Sequence, residues 1–259
     1  MAACQLSARQ PWRAPLERWI ARLQWEPGVT LALASVNELA AGRGCTSGSG
    51  APIVFADAAN LIADTEPYER RIFDSGVVAT RLSGAGALHD AFNALAWLAF
   101  PRTKAALNRL HAGALDASQP TGSRGPLRDR TTLFDESGAL ILTQNAELAL
   151  ALRDFDWAKL FVRERHRFQE QARCLVLGHA VQEKLCHPYK AVCVQAWLMD
   201  VPVDCPIDEI DRLAADRLDT AALDALTPLP VLGVPGWWPA NEEPEFYNDP
   251  TVFRRRRSR

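Results

Sequence analysis

Two helical patterns separated by a single proline, between residues 88 and 113, limit the fold of this chain more than any other feature. Residues 88–100 put Leu88, Phe92, Leu95 and Ala99 on one side, the spacing of a helix that packs against a core. Pro101 has no amide hydrogen and its ring crowds the preceding turn, so the first helix must stop there. Thr103 can then cap a second helix over residues 104–113. Both helices carry polar groups beside their apolar faces. His89 and Asn93 are four apart, and Lys104, Asn108 and His111 follow at i, i+4 and i+7, so each set shares a face. Asp90 falls in a first turn, where its charge suits the helix dipole. Buried polar groups cost free energy unless they find partners. These helices must therefore aim them at each other, at other side chains, at water or at a metal.

The remainder reads as mixed α and β. Short helices are expected at 15–23, at 36–41 behind Ser35, at 68–74, from 145 to about 153, and at 208–218 and 220–226; a longer helical region is expected from about 157 to 186. Strands are expected at 53–55, 77–80 and, most clearly, 191–199. Residues 131–134 and 139–142 around Asp135–Gly138 read as a β-hairpin, which makes Asp135 and Glu136 solvated turn charges. Residues 42–50 (GRGCTSGSG) and 114–126 read as loops. The first lacks the lysine ending of a phosphate loop and has no serine elbow. From Pro228 to Phe253 six prolines and two tryptophans exclude a helix, and the aromatic residues predict that this segment packs down. The expected fold is α+β: one mostly helical domain over 1–259 with a small sheet or hairpin and an extended, packed C-terminal segment. Residues 1–14 and 254–259 are expected to be flexible ends.

With 48% apolar and 23% charged residues the chain is not of disordered composition. A net charge of −2 gives no overall attraction for nucleic acid or acidic membranes, and the arginine run 254–257 reads as a solvated tail. No secretory signal and no apolar run of membrane-spanning length is visible, so a cytoplasmic protein with no membrane partner is expected. The six cysteines form no C-x-x-C pair and are expected to stay thiols.

A further polar set lies at 178–187 (GHAVQEKLCH), where His179 and Glu183 share a helical face. A His and a carboxylate so placed can hold a divalent metal such as zinc, which takes three or four ligands; His179, Glu183 and His111 are the candidate metal ligands. Arg128 and Asp129 could orient a phosphorylated substrate.

The segments HDAFNALAWLAFPRTKAALNRLH (89–111), RGPLRDRTTLFDESG (124–138), GHAVQEKLCHPY (178–189), PLPVLGVPGWW (228–238) and FYNDPTVFRRRR (246–257) together resemble the bacterial proteins grouped as domain of unknown function 3025. The resemblance covers nearly the whole chain from about Trp25. It implies a bacterial, cytoplasmic, single-domain protein and brings no activity with it.

Two functional readings follow. In the first the chain is a hydrolase-like enzyme acting on a polar or phosphorylated small molecule, with or without a metal. His179, Glu183, His89, Asp90, Arg128 and Asp129 are its candidate catalytic residues, and Asn93, Lys104 and Asn108 its candidate substrate-binding residues. On this reading His89, Asn93, His111, His179 and Glu183 line one polar pocket. In the second the chain is a non-catalytic binding or assembly protein. Its polar residues are then a structural network, and its working surface is the Trp237–Trp238 segment.

Overall fold

The computed structural model describes residues 10–61, 66–116 and 125–256. Its α-helices are α1 Glu17–Leu23, α2 Leu33–Arg43, α3 Tyr68–Ser75, α4 Ala87–Ala99, α5 Pro101–Asp116, α6 Pro126–Ser137, α7 Ala146–Arg153, α8 Arg165–Gln171, α9 His179–Lys184, α10 Ile207–Arg217 and α11 Thr220–Asp224. Its strands are β1 Val54–Asp57, β2 Val77–Thr80, β3 Gly138–Leu142, β4 Arg173–Val176, β5 Cys193–Met199 and β6 Thr227–Pro230. The fold is α+β and mostly helical, with small sheets, as expected. Cys4, Arg124, Arg257, residues 117–124 of the expected second loop, and residues 1–9 and 257–259 of the expected flexible ends lie outside the described residues.

The chain divides into two compact units. A helical unit comprises Pro15–Glu136 and Pro206–Asp224; a sheet unit comprises the described part of Met1–Ala14, Ser137–Cys205 and the described part of Ala225–Arg259.

In the helical unit α5 is the hub, packing against α3, α4 and α10. The break at Pro101 falls where expected, but α5 starts at the proline itself, because the first helical position needs no amide hydrogen. Thr103 is therefore inside the helix. The cap comes from elsewhere: the Asp211 carboxylate on α10 accepts the amides of Arg102 and Thr103 at 3.0 and 2.8 Å. Likewise Ser35 lies inside α2, which begins at Leu33. Strands β1 and β2 pair in parallel, Val54 with Val77 to Asp57 with Thr80.

The expected hairpin at 131–142 is not formed. Residues 126–137 are helix α6, opened by Pro126 with Asp129 in its first turn. Thr131, Phe134 and Asp135 are its buried residues, a helical spacing of three and four rather than the alternation of a strand. Ser137 and Gly138, which resemble a turn, are instead the junction between α6 and β3.

The sheet unit is built on the strand order β4-β3-β5-β6. β3 pairs antiparallel with β4 and parallel with β5, and all five β3 residues are buried. The continuous helical region expected over 157–186 is broken: a π-helical turn at Lys159–Arg163, then α8, β4 and α9. Cys174, Leu175 and Val176 are buried, and a short run that is apolar on every side has no period to separate strand from helix.

The proline-rich segment is ordered, as its aromatic residues predicted. Pro228 and Pro230 lie in β6 at the sheet edge, where a missing amide breaks no interior ladder. Beyond it Asn241, fully buried, donates to the carbonyls of Leu232 and Val234, both at 2.8 Å. Arg165 donates to the Asn241 carbonyl, its Oδ1 and the Tyr247 hydroxyl, and that hydroxyl donates to the Gly233 carbonyl. Phe246, Tyr247 and Phe253 stack into the core beside Phe161. Within the stretches expected to be loose, Trp12 is buried and the Arg254 carbonyl accepts the Trp157 indole at 2.7 Å.

Two outcomes follow from this packing. Asn241→Ala should lower the urea midpoint, at about 1–3 kcal/mol for each carbonyl left unpaired. Burial pushes the Cys45 thiol up to about 12 and the Cys174 thiol higher still; alkylation at pH 8, mapped by mass spectrometry, should leave both unmodified until the protein is unfolded.

Candidate functional site

The polar faces of α4 and α5 do meet. Lys104 reaches from α5 to the Oδ1 atoms of Asn93 on α4, at 2.9 Å, and of Asp135 on α6, at 2.5 Å. All three residues are more than nine-tenths buried. The Lys104 ammonium also sits 5.4 Å from the Trp97 ring centre, a favourable place for a cation. The amide of Asn93 then donates to the hydroxyl of Tyr68, the first residue of α3, at 3.1 Å. Because the phenol oxygen accepts this bond, its own proton is left over as a donor. The Tyr68 residue is 40% exposed, but its hydroxyl end is enclosed. Burial first, then the charges of Glu69, Asp90 and Asp135, push the phenol well above its ordinary value, so it stays protonated at neutral pH.

Glu136, the next residue on α6, faces His89 of α4, with Oε2 3.8 Å from Nε2. Adjacent carboxylates in the last turn of α6 therefore engage two different helices, Asp135 the lysine of α5 and Glu136 the histidine of α4. A hairpin would have put both at a solvated tip; the helix puts them against α4 and α5. The helical spacing of Thr131, Phe134 and Asp135 is the signal that would have found them. Tyr68 gave no such signal, since only the fold brings α3 against α4 and α5.

The other candidates of the helical unit fall in several places. Asp90 is committed to Arg81: its Oδ2 accepts the Arg81 backbone amide and Nε, and its Oδ1 accepts a terminal guanidinium nitrogen, each at 2.7 Å. Gly86 allows this, because a Cβ there would lie 2.2 Å from the guanidinium carbon. The Asn108 amide donates to the Glu69 carbonyl and carboxylate, and its oxygen accepts the Gly48 amide, so Asn108 ties α5 to α3 and to the loop before β1. His111 is buried on α5, and its Nδ1 has no hydrogen-bond partner among the described residues. Arg128 and Asp129 lie on the first turns of α6, partly exposed. His179 and Glu183 belong to α9 of the sheet unit, with His179 buried. Trp237 and Trp238, expected to form an exposed patch on the non-catalytic reading, are half-buried and packed against the sheet-unit core.

Within the helical unit, then, an imidazole, a carboxylate, a phenol and a buried ammonium–carboxylate pair are gathered on four helices. A family model described as a protein of unknown function (DUF3025) matches residues 53–257. The chain belongs to this family. The match takes in every residue of the cluster, from Tyr68 to Glu136. No curated protein and no solved structure matches this DUF3025 chain. No helix among the described residues is long and apolar enough to cross a membrane.

A buried ion pair is costly to break but often neutral to replace by apolar groups. Lys104→Met alone should therefore destabilise by about 3–5 kcal/mol in urea unfolding, because it strands the Asp135 charge. The double variant Lys104→Met/Asp135→Leu should recover most of that loss.

Proposed function

We propose that this protein is a cytoplasmic, hydrolase-like enzyme acting on a polar small molecule, with its acid–base centre at His89, Glu136 and Tyr68. The observation that carries the reading is the pair of adjacent carboxylates on α6, which join His89 to the network of Lys104, Asn93 and Tyr68. His89 is partly exposed, with 27% of its side chain accessible. It is the group to take a proton from an attacking water, with Glu136 positioned to stabilise the imidazolium that results. The Tyr68 hydroxyl is held one helical turn away through Asn93, and its free proton can bond to oxygen that gains charge in the transition state. Lys104 and Asp135 are too deep to touch a substrate. They position Asn93, and through it the phenol.

His89 and Glu136 can also supply two of the three or four ligands that a divalent ion such as zinc takes. A metal there would polarise the substrate or activate the water. Elemental analysis of the purified protein separates the two versions.

The test is turnover of p-nitrophenyl phosphate, p-nitrophenyl acetate and a p-nitroanilide across pH 5–9. His89→Ala should lower kcat/KM by about 10²-fold or more, and Tyr68→Phe by on the order of 10²-fold, with unchanged circular dichroism. Glu136→Gln should lower the rate and move the pH profile, which a purely structural carboxylate would not do. No turnover of any of the three substrates, or full activity in His89→Ala, would sink the reading.

A further inference from the structure

Helix α5 has a second polar face, opposite the one that holds Lys104, Asn108 and His111. Arg102, Ala105 and Arg109 follow there at i, i+3 and i+7, and both arginines are exposed. They border a cleft of about 690 Å3 between α5, the glycine- and serine-rich loop before β1, and α10, a volume within the range of small-molecule sites.

The loop is held rigidly against the helix. The Gly48 amide donates to the Asn108 side chain at 3.0 Å. A Cβ on Gly48 would lie 2.6 Å from the Arg109 backbone nitrogen, so only glycine allows the approach. Ser47 and Ser49 turn their hydroxyls to the Phe73 carbonyl. The loop amides of Ser47, Ser49, Gly50 and Ala51 are spent within the loop. The loop is thus a wall, not a nest of free amides.

Charge distinguishes the cleft. Three aspartates line it, and each is already engaged. Asp208 is held between Arg18 and Arg43. Asp216 is held by Arg212 at 2.7 Å. Asp211 is buried and accepts the first amides of α5, which also removes the helix N-terminus as an anion site. Arg102 and Arg109 are different: neither guanidinium has a hydrogen bond or close ion pair among the described residues, and Glu209, which feels the charge of Arg102, is itself held by Arg212. Two uncommitted planar donors two helical turns apart, about 10 Å along the axis, face one concave surface whose acids are already paired.

We propose that this cleft is a binding site for a small molecule bearing more than one phosphate group, with Arg102 and Arg109 as its anchors. Guanidinium forks match phosphate oxygens in pairs. The spacing favours a diphosphate, or two separate phosphates, over one. This site is independent of the acid–base cluster, which lies on the opposite face of α5, and neither proposal needs the other.

The experiment is isothermal titration of the full-length protein with inorganic pyrophosphate at low salt, beside inorganic phosphate. Arg102→Ala/Arg109→Ala is the variant, and Arg130→Ala, on α6, paired with Asp224 and outside the cleft lining, is the control. Pyrophosphate should bind more tightly than phosphate. The double variant should bind at least tenfold more weakly with an unchanged melting temperature, and the control should bind as the wild type does. Raising the salt should weaken binding, since the anchors are exposed charges. Absence of pyrophosphate binding at millimolar concentration, equal binding by the double variant, or an equal loss in Arg130→Ala would each overturn the proposal.

Discussion

An ammonium group cannot be taken out of water alone, and the helical unit is arranged around that constraint. Lys104 points from α5 into a region bordered by α4 and α6, where it is 4% exposed. The desolvation of such a charge is worth several kcal/mol and is offset only by a close counter-charge and further hydrogen bonds. Asp135 supplies the charge, Asn93 a second acceptor, and the Trp97 ring a third contact. To deliver Asp135, the last turn of α6 must run past α5. Once it does, the next residue, Glu136, is directed at α4 and His89. The position of the imidazole–carboxylate pair is a consequence of satisfying the lysine.

The same helix is polar on two sides for different reasons. The inward stripe Lys104, Asn108 and His111 is buried, and Lys104 and Asn108 earn that burial through bonds to other elements. The outward residues Arg102 and Arg109 are exposed and uncommitted. Between them α5 draws its N-terminal cap from Asp211 on α10, so its amides are satisfied without recourse to solvent or ligand. A helix with its end capped in this way can hold two chemically distinct faces at a fixed separation.

Much of this is legible in the sequence. The stop at Pro101, the stripes on both flanking helices, strand β5, the helix from 145 to about 153 and the packed aromatic segment all follow from local rules. The elements that depart from local rules share one cause. Residues 131–142 and 157–186 contain short apolar runs next to turn-forming residues, and there local composition does not decide between helix and strand. The errors mattered for function. Treating 131–134 as a strand put Asp135 and Glu136 at a solvated tip and removed from view the two carboxylates that organise the site. Tyr68 was hidden for a different reason: nothing in its neighbourhood predicts which helix its hydroxyl will meet. Asp90, by contrast, was read as chemistry, although the guanidinium nine residues earlier holds both of its oxygens.

Two buried polar networks among the described residues end differently, and the difference bears on what each is for. In the sheet unit, Arg165, Asn241 and Tyr247 pass their hydrogen bonds to the backbone carbonyls of Leu232, Gly233 and Val234. Apart from the ion pair of Arg165 with Glu242, that network closes on main chain, which fixes the path of a proline-rich segment that cannot form a helix of its own. In the helical unit the chain of bonds runs from Asp135 through Lys104 and Asn93 and ends on a phenol oxygen that is an acceptor. Its proton is not used by the network, and its residue is the one member that is substantially exposed. A network built only for stability gains by closing on itself, because each satisfied end removes a desolvation cost. One that links a buried charge pair to a phenol whose proton it leaves unused keeps an electrostatic cost that apolar side chains would have avoided. That cost is understandable if the remaining phenol proton has a substrate to meet.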